Sequence, residues 1–382
     1  GFFGCLYADV TAVPAYPPRS AQLLTRLAAI IRDADVAVAL TTEESREGIQ
    51  TRLQELGGPV PQELIATDTL SDEAAADWRP IAIAPEELAF LQYTSGSTGD
   101  PKGVMVSHAN LIDNSRLINL CFEDVPESLG VSWLPPYHDM GLVGGILQPL
   151  YVGSTMILMP PVSFLQRPLR WLEAISRNRA TTSGGPNFAY ELLARQLRPE
   201  QIEGLDLSSW TLAFTGAEPV RAETIDLFCR TFGPCGFRRE ALLPCYGLAE
   251  NTLIVTGAGK RQQPVVRRFS TGALAEGRVL ECPDPQHGGG EVGSLPVDGA
   301  ENKPENKAEV KAENKPEDDS RTLVSSGPPV GDVRVAIVDP ERGLPVEADR
   351  IGEIWVSSGS VASGYRNRPE LSADTFQARL PG

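Results

Sequence analysis

The chain has 382 residues, of which 41% are hydrophobic and 22% charged. That is enough for two packed subdomains with a substantial buried core, and no apolar run is long enough to form a transmembrane segment. With 34 basic against 50 acidic residues the formal net charge is -16, a surface that repels polyphosphate backbones in general, so no nucleic acid is expected and any phosphate must be held locally. The apolar start over residues 1–7 lacks a basic leader, and both ends look cut from a longer polypeptide. Leu23, Leu24, Leu27, Ile30 and Ile31 form one helical stripe, and a short buried strand is predicted over 36–40. Strands over 88–93, 155–159 and 212–215 alternate with helices over 165–177, 188–197 and 223–232, the rhythm of βα units on a mainly parallel sheet. Beyond about Leu323, strands over 333–338 and 351–356 follow without helices between them.

The fold class is therefore α/β. Two α/β subdomains are expected over residues 1–256, an insertion region over 257–321 and a smaller β-rich subdomain over 322–382. Within the insertion, the Glu/Asn/Lys-rich tract from Glu301 to Pro316 has almost no apolar residue and is expected to be a solvated, disordered loop. Six cysteines, Cys5, Cys121, Cys229, Cys235, Cys245 and Cys282, show no CxxC pair and no metal-ligand spacing. They are expected to be buried thiols of a reducing, cytoplasmic compartment.

The strongest chemical signal is the string Tyr93-Thr94-Ser95-Gly96-Ser97-Thr98-Gly99-Asp100-Pro101-Lys102-Gly103, set after a strand and before the β-rich run at Val104. Glycines let the backbone turn N–H groups toward a polyphosphate, hydroxyls add donors, and Lys102 supplies a compact charge. The GxxxxGK[ST] spacing of a Walker loop is absent. A glycine-rich hairpin turn is the plain alternative, and the eleven-residue string is too specific for it.

Three further strings follow: Leu134-Pro135-Pro136-Tyr137-His138-Asp139-Met140-Gly141-Leu142, Thr215-Gly216-Ala217-Glu218-Pro219 and Tyr246-Gly247-Leu248-Ala249-Glu250. Together with the first they resemble the signatures of the adenylate-forming superfamily, in family order and spacing, over nearly the whole chain. The resemblance implies that Thr94, Ser95, Gly96, Ser97, Thr98, Gly99 and Lys102 cradle the phosphates of ATP. It implies that Glu250, assisted by Thr94, ligates Mg2+, and that Gly216, Ala217, Glu218, Tyr246, Gly247 and Leu248 flank the nucleotide. His138, Gly185 and Gly216 would meet the acyl substrate, with His138, Lys102 and Glu250 as the catalytic residues. Taken alone, His138 reads as a structural histidine and Glu250 as a carboxylate at a helix start, since the chain from Leu248 onward is helix-like.

Pro14-Ala15-Tyr16-Pro17-Pro18, Ser183-Gly184-Gly185-Pro186-Asn187-Phe188 and Gly352-Glu353-Ile354-Trp355-Val356 look like the fatty acyl-AMP ligase branch. That branch carries an extra segment for which residues 255–282 are long enough. The resemblance then implies activation of a fatty acid to its adenylate and transfer to an acyl carrier protein, as in the loading domain of a polyketide or olefin-type synthase. Acyl-CoA ligation and amino-acid adenylation are the alternatives, Asp139 being the residue that keeps the latter open. In the family a C-terminal domain brings a further lysine, and this chain is expected to end before it and to adenylate poorly alone. A non-catalytic docking platform is the remaining alternative, against which the presence of Lys102, His138 and Glu250 argues.

Overall fold

A computed structural model describes residues 1–18, 20–95, 101–283 and 319–381. Near the start, β1 (Val38–Thr41) and β2 (Glu63–Ala66) form a two-stranded parallel sheet beside helix Ala21–Ala34. Next, β3 (Leu88–Ser95) and β4 (Pro101–Ser107) pair antiparallel, with Thr94 opposite Lys102.

The central sheet uses β5 (Leu129–Ser132), β6 (Thr155–Leu158), β7 (Thr182–Gly184), β8 (Leu212–Thr215), β9 (Leu242–Gly247) and β10 (Ile254–Gly257), in the order β10-β9-β8-β7-β5-β6. All neighbours are parallel except β10, which runs antiparallel to β9 at the edge. Beyond it lie an antiparallel pair, β11 (Val266–Ser270) with β12 (Ser320–Val324), and a three-stranded sheet of β13 (Arg334–Asp339), β14 (Leu344–Pro345) and β15 (Glu353–Ser357).

Successive residues of a strand point to opposite faces. On β8 and β9, Ala213 and Leu242 accordingly join one core while Leu212 and Leu243 join another. The first core is aromatic: Trp171, Tyr190, Trp210, Phe228 and Phe232 are all buried. It is supplied by helices Leu169–Asn178, Asn187–Gln196 and Ala222–Phe232, whose apolar residues recur at helical spacing. The second core packs Leu117, Ile118, Cys121 and Phe122 of helix His108–Phe122 against Phe90, Val104 and Val106 of the β3–β4 hairpin. Each such side chain stabilises the fold by roughly 1.5–3 kcal/mol relative to exposure.

Three local expectations fail for physical reasons. The strand at Val38–Thr41 is not buried, since Val38 and Leu40 are exposed and only β2 pairs with it. The helix expected over 165–177 is two, Pro161–Gln166 and Leu169–Asn178, because Pro168 forces the preceding Arg167 to an extended φ of -149°. After Leu248 the helix is no more than one 3-10 turn, Ala249–Asn251, which leads into β10. The tract from Glu301 to Pro316 lies outside the described residues, which end at Pro283 and resume at Asp319, both against β11 through the bonds Cys282 N–H to Arg268 O and Thr271 N–H to Asp319 O.

Candidate active site

The motif residues gather because the carboxyl ends of parallel strands point the same way, where open α/β sheets bind ligands. Tyr137 and His138 follow β5, Gly185 follows β7, Gly216 to Glu218 follow β8, and Tyr246 and Gly247 close β9. Gly247 has no room for a side chain: a Cβ there would lie 2.0 Å from the Leu253 carbonyl. At Gly185 a Cβ would meet the Trp133 ring at 2.8 Å, and the Gly185 N–H donates to Phe214 O at 3.1 Å, tying β7's end to β8's. Ala217 holds a φ of +66°, a left-handed conformation that costs an alanine roughly 1–2 kcal/mol. The Glu218 carboxylate accepts from the Phe188 N–H at 2.7 Å, at the start of helix Asn187–Gln196.

Glu250 sits on the most strained backbone of this region. Two residues on, Thr252 has φ +66° and ψ -56°, and the Leu253 N–H donates to Asn251 O at 2.7 Å, the geometry of the rare γ-turn. Polar side chains hold it there. Asn114, fully buried on helix His108–Phe122, donates to the carbonyls of Asn251 and Ile254 at 3.0 and 3.2 Å and accepts from the Ile254 N–H at 3.1 Å. Thr252 Oγ1 donates to Ser360 O, Ser358 Oγ to Asn251 Oδ1, and Ser360 Oγ to Asp113 Oδ2, each within 2.6–2.7 Å. Asn110 of the same helix, which also completes the capping box with Ser107, donates to Gly359 O and Val361 O.

One residue that the sequence motifs do not include links the two catalytic candidates. Tyr365, buried, donates its hydroxyl to Glu250 Oε1 at 2.6 Å, while Lys102 Nζ lies 5.4 Å from the centre of its ring, within cation–π range. Burial, with the Glu250 carboxylate second, pushes the Tyr365 hydroxyl well above the usual phenol range, so it stays a donor. The backbone fixes the pairing: Arg366 N–H donates to Gly103 O, and Ala362 N–H donates to Glu250 O. Nothing in the sequence pairs Tyr365 with positions 263 and 115 residues away; the only hint is an aromatic residue following Gly364 just past a strand.

His138 opens a run of wide, π-type helical turns, Met140–Leu147. Its Nδ1 lies 2.5 Å from Asp139 Oδ1, so the proton sits there and Nε2 is the outward nitrogen. The Asp139 carboxylate raises the His138 pKa above the ordinary histidine value, against the opposing effect of partial burial. Asp139 is itself buried and also accepts from the Met140 N–H at 2.6 Å. Gln92 of β3 donates to Tyr137 O at 3.2 Å, joining this segment to the β3–β4 hairpin. Burial, with Glu250's charge second, raises the Tyr246 pKa.

The phosphate string is only partly visible. Thr94 and Lys102 face each other across β3 and β4, and the Ser95 backbone ends β3; Gly96, Ser97, Thr98, Gly99 and Asp100 lie outside the described residues. Among the described residues no three His, Cys, Asp or Glu side chains cluster as a metal cage. One carboxylate, Glu250, with oxygens from water and substrate phosphates is the kind of set that suits Mg2+. The six cysteines are free thiols, Cys121 buried and the others half-buried; burial pushes Cys121 and Cys245 up to about 12, which makes them inert.

Behind the π-type turns lies a narrow cavity, about 440 Å³ counted with the open solvent at its mouth but only about 20 Å³ of space that a water can occupy. Gly144, Gly145, Gln148 and Val152 line one wall, and Val131, Met156, Thr182 and Phe214 line the sheet side. No helix among the described residues is long and apolar enough to cross a membrane.

The family model for AMP-binding enzymes matches residues 1–302 and 308–366. The medium-chain-fatty-acid–[acyl-carrier-protein] ligase JamA of Moorena producens is 41% identical over 99% of this chain and 60% of its own length. The corresponding ligase TtuA of Teredinibacter turnerae is 35% identical over 99% and 60%. Among solved structures, the fatty acyl-adenylate ligase from Legionella pneumophila in complex with acyl adenylate and pyrophosphate superposes with a TM-score of 0.85 at 41% identity, over 99% of this chain and 60% of that one. The chain thus spans about 60% of the length of these relatives.

Proposed function

The chain belongs to the AMP-binding enzyme family, and from that premise we propose that it activates a fatty acid with ATP, forming an acyl adenylate and pyrophosphate for transfer to an acyl carrier protein. The observation that carries the reading is the Lys102–Tyr365–Glu250 line, a cation and a carboxylate held on one tyrosine beside the carboxyl ends of the sheet. Opposite charges held so close would suit a site where an anionic nucleophile approaches a polyphosphate.

In the proposed step a carboxylate oxygen attacks the α-phosphorus, the new O–P bond forms, and the bond to pyrophosphate breaks. Mg2+, when bound by Glu250 with Thr94 assisting, would neutralise phosphate charge. Lys102 would follow the charge that builds on the leaving pyrophosphate, and Ser95 to Gly99 would offer N–H and hydroxyl donors. Gly216, Ala217, Glu218, Tyr246, Gly247 and Leu248 would flank the nucleotide. His138, held by Asp139 with its pKa raised, would meet the acid's carboxylate as a partly cationic donor, with Gly185 and Gly216 beside it.

The cavity behind Gly144 and Gly145 would take the acyl chain. Asp139 is consumed by His138 and Met140, which argues against its service as a partner for a substrate ammonium, as an amino-acid-activating site needs. The relatives named as ligases to acyl carrier protein support that acceptor, and the loading step of a polyketide or olefin-type synthase is the setting proposed. Six free thiols suit a cytoplasmic location.

The test incubates the complete polypeptide with Mg-ATP and fatty acids of graded length, then offers coenzyme A or an acyl carrier protein. Pyrophosphate release with acyl transfer to carrier protein alone is expected. Efficient thioester formation with coenzyme A would move the chain to the acyl-CoA ligases, and no response to any fatty acid would overturn the reading.

A further inference from the structure

The cavity that the proposed function assigns to the acyl chain is not a plain hydrocarbon slot. Its walls are apolar at Val131, Met156, Val152 and Phe214. Gln148, in contrast, is 3% exposed, and both Oε1 and Nε2 of its amide are buried without a hydrogen-bond partner. Orphaned amide atoms in an apolar setting are destabilising, and native interiors place such groups where something pairs with them. Both atoms of one amide are orphaned here, although hydroxyls and a carboxylate line other parts of the same wall.

A second group lines the same space. The Asp124 carboxylate accepts from Thr182 Oγ1 at 2.6 Å, and burial raises its pKa. Ser128 and Ser154, which directly precede β5 and β6, line it too, as do Ser132 at the carboxyl end of β5 and Ser183 within β7. His138, by contrast, sits beyond the carboxyl end of β5. Polar groups therefore line both ends of the space, but Gln148 belongs to the end away from the reacting carboxylate: it lies ten positions along the chain from His138, and its neighbour Pro149 accepts at O from the N–H of Ser154, just before β6, at 2.9 Å.

Resting on the reading of this space as the acyl site, we propose that the preferred acid carries a hydroxyl group on the far part of its chain, which pairs with the Gln148 amide. A hydroxyl both donates and accepts, so it satisfies either face of that amide. A plain alkyl chain would instead seal Gln148 dry and unpaired, and sites built to pair a substrate hydroxyl discriminate strongly against analogues that lack it. Gln148 is then a specificity-determining residue, and the substrate class is a hydroxylated fatty acid.

The experiment measures acid-dependent pyrophosphate release by the complete polypeptide with matched series of plain and ω-hydroxy alkanoic acids of graded length. At the best length, kcat/KM for the hydroxylated acid is expected to exceed that of its plain partner by roughly tenfold. In Gln148→Met, which keeps an unbranched chain of similar length, the preference should vanish and the plain acid improve. Should that variant fail to fold, the wild-type ratio alone decides. Equal or better use of the plain acid by the wild type, or an unchanged ratio in Gln148→Met, overturns the inference while leaving fatty-acid activation standing. That result would mean that a trapped water serves Gln148. Failure of every acid to release pyrophosphate would defeat the underlying reading, and this inference with it.

Discussion

The aromatic core beneath helices Leu169–Asn178 and Ala222–Phe232 and the Glu250 turn on the other side of the sheet are held by different physics. In the core, Trp171, Tyr190, Trp210, Phe228 and Phe237 meet edge to face at centroid distances of 4.9–6.2 Å, and Trp171 and Trp210 direct their indole N–H groups to Ser183 Oγ and to the Ser183 and Leu212 carbonyls. Around Glu250 the packing is polar: Asn114, Asn251, Ser358, Ser360 and Tyr365 lock a γ-turn that the backbone would not adopt unaided. Apolar area is non-directional and sets stability, whereas hydrogen bonds fix direction at a smaller net gain. The molecule spends directional contacts where a carboxylate must point at a fixed place.

Substitutions in the two regions should therefore separate stability from activity. Phe228→Ala, in the aromatic core, should lower unfolding free energy by roughly 3–5 kcal/mol, read by chemical denaturation, with kcat/KM of the folded fraction little changed. Asn114→Ala should cost less stability, about 1–3 kcal/mol, because it leaves the buried Ile254 N–H without its partner and strips the Asn251 and Ile254 carbonyls of one of their two hydrogen bonds. Its activity loss per kcal/mol should nevertheless be larger. Equal loss of activity at matched stability would erase the distinction between the regions.

Tyr365→Phe sharpens the comparison further, since it keeps the ring beside Lys102 and removes only the bond to Glu250. The Mg2+ concentration needed for half-maximal nucleotide binding should rise roughly five- to tenfold. Calorimetry reads this without turnover, and nucleotide binding without metal should not change. A purely structural tyrosine would leave the Mg2+ requirement unmoved.

The smallest effect concerns His138. Its pKa is raised in the fold by Asp139, so the pair's contribution to stability is fully present below the unfolded value of about 6.5 and is lost as pH rises through the folded value. Asp139→Asn should lower the folded pKa, seen as an acid shift of the His138 imidazole titration in an NMR series. An unmoved titration would mean that Asp139 does not hold the imidazole.

The features legible in the sequence were those with local causes. Apolar spacing at Leu169, Leu172 and Ile175 or at Ile225, Phe228 and Phe232 marks helices because 3.6-residue periodicity is written in neighbours. The strand over 212–215 was legible from its own short β-rich run, whereas β9, ending at Gly247, was not legible as a strand. Features depending on distant partners were hidden. Tyr365 gains its role from Glu250, 115 residues earlier, and Gln148 its orphaned amide from a cavity walled by β5, β7 and β8. The helix expected after Leu248 stops at one 3-10 turn because Asn114, 137 residues from Asn251, holds the γ-turn that follows, which local propensity disfavours. Arg167-Pro168 is the exception: the break was written locally and masked by the apolar stripe around it.

The most direct test of the central claim is acid-dependent exchange of labelled pyrophosphate into ATP by the complete polypeptide and by Glu250→Gln. Exchange is expected only when a fatty acid is present, falling roughly a hundredfold in the variant. Exchange that ignores the acid, or survives intact in Glu250→Gln, would contradict it.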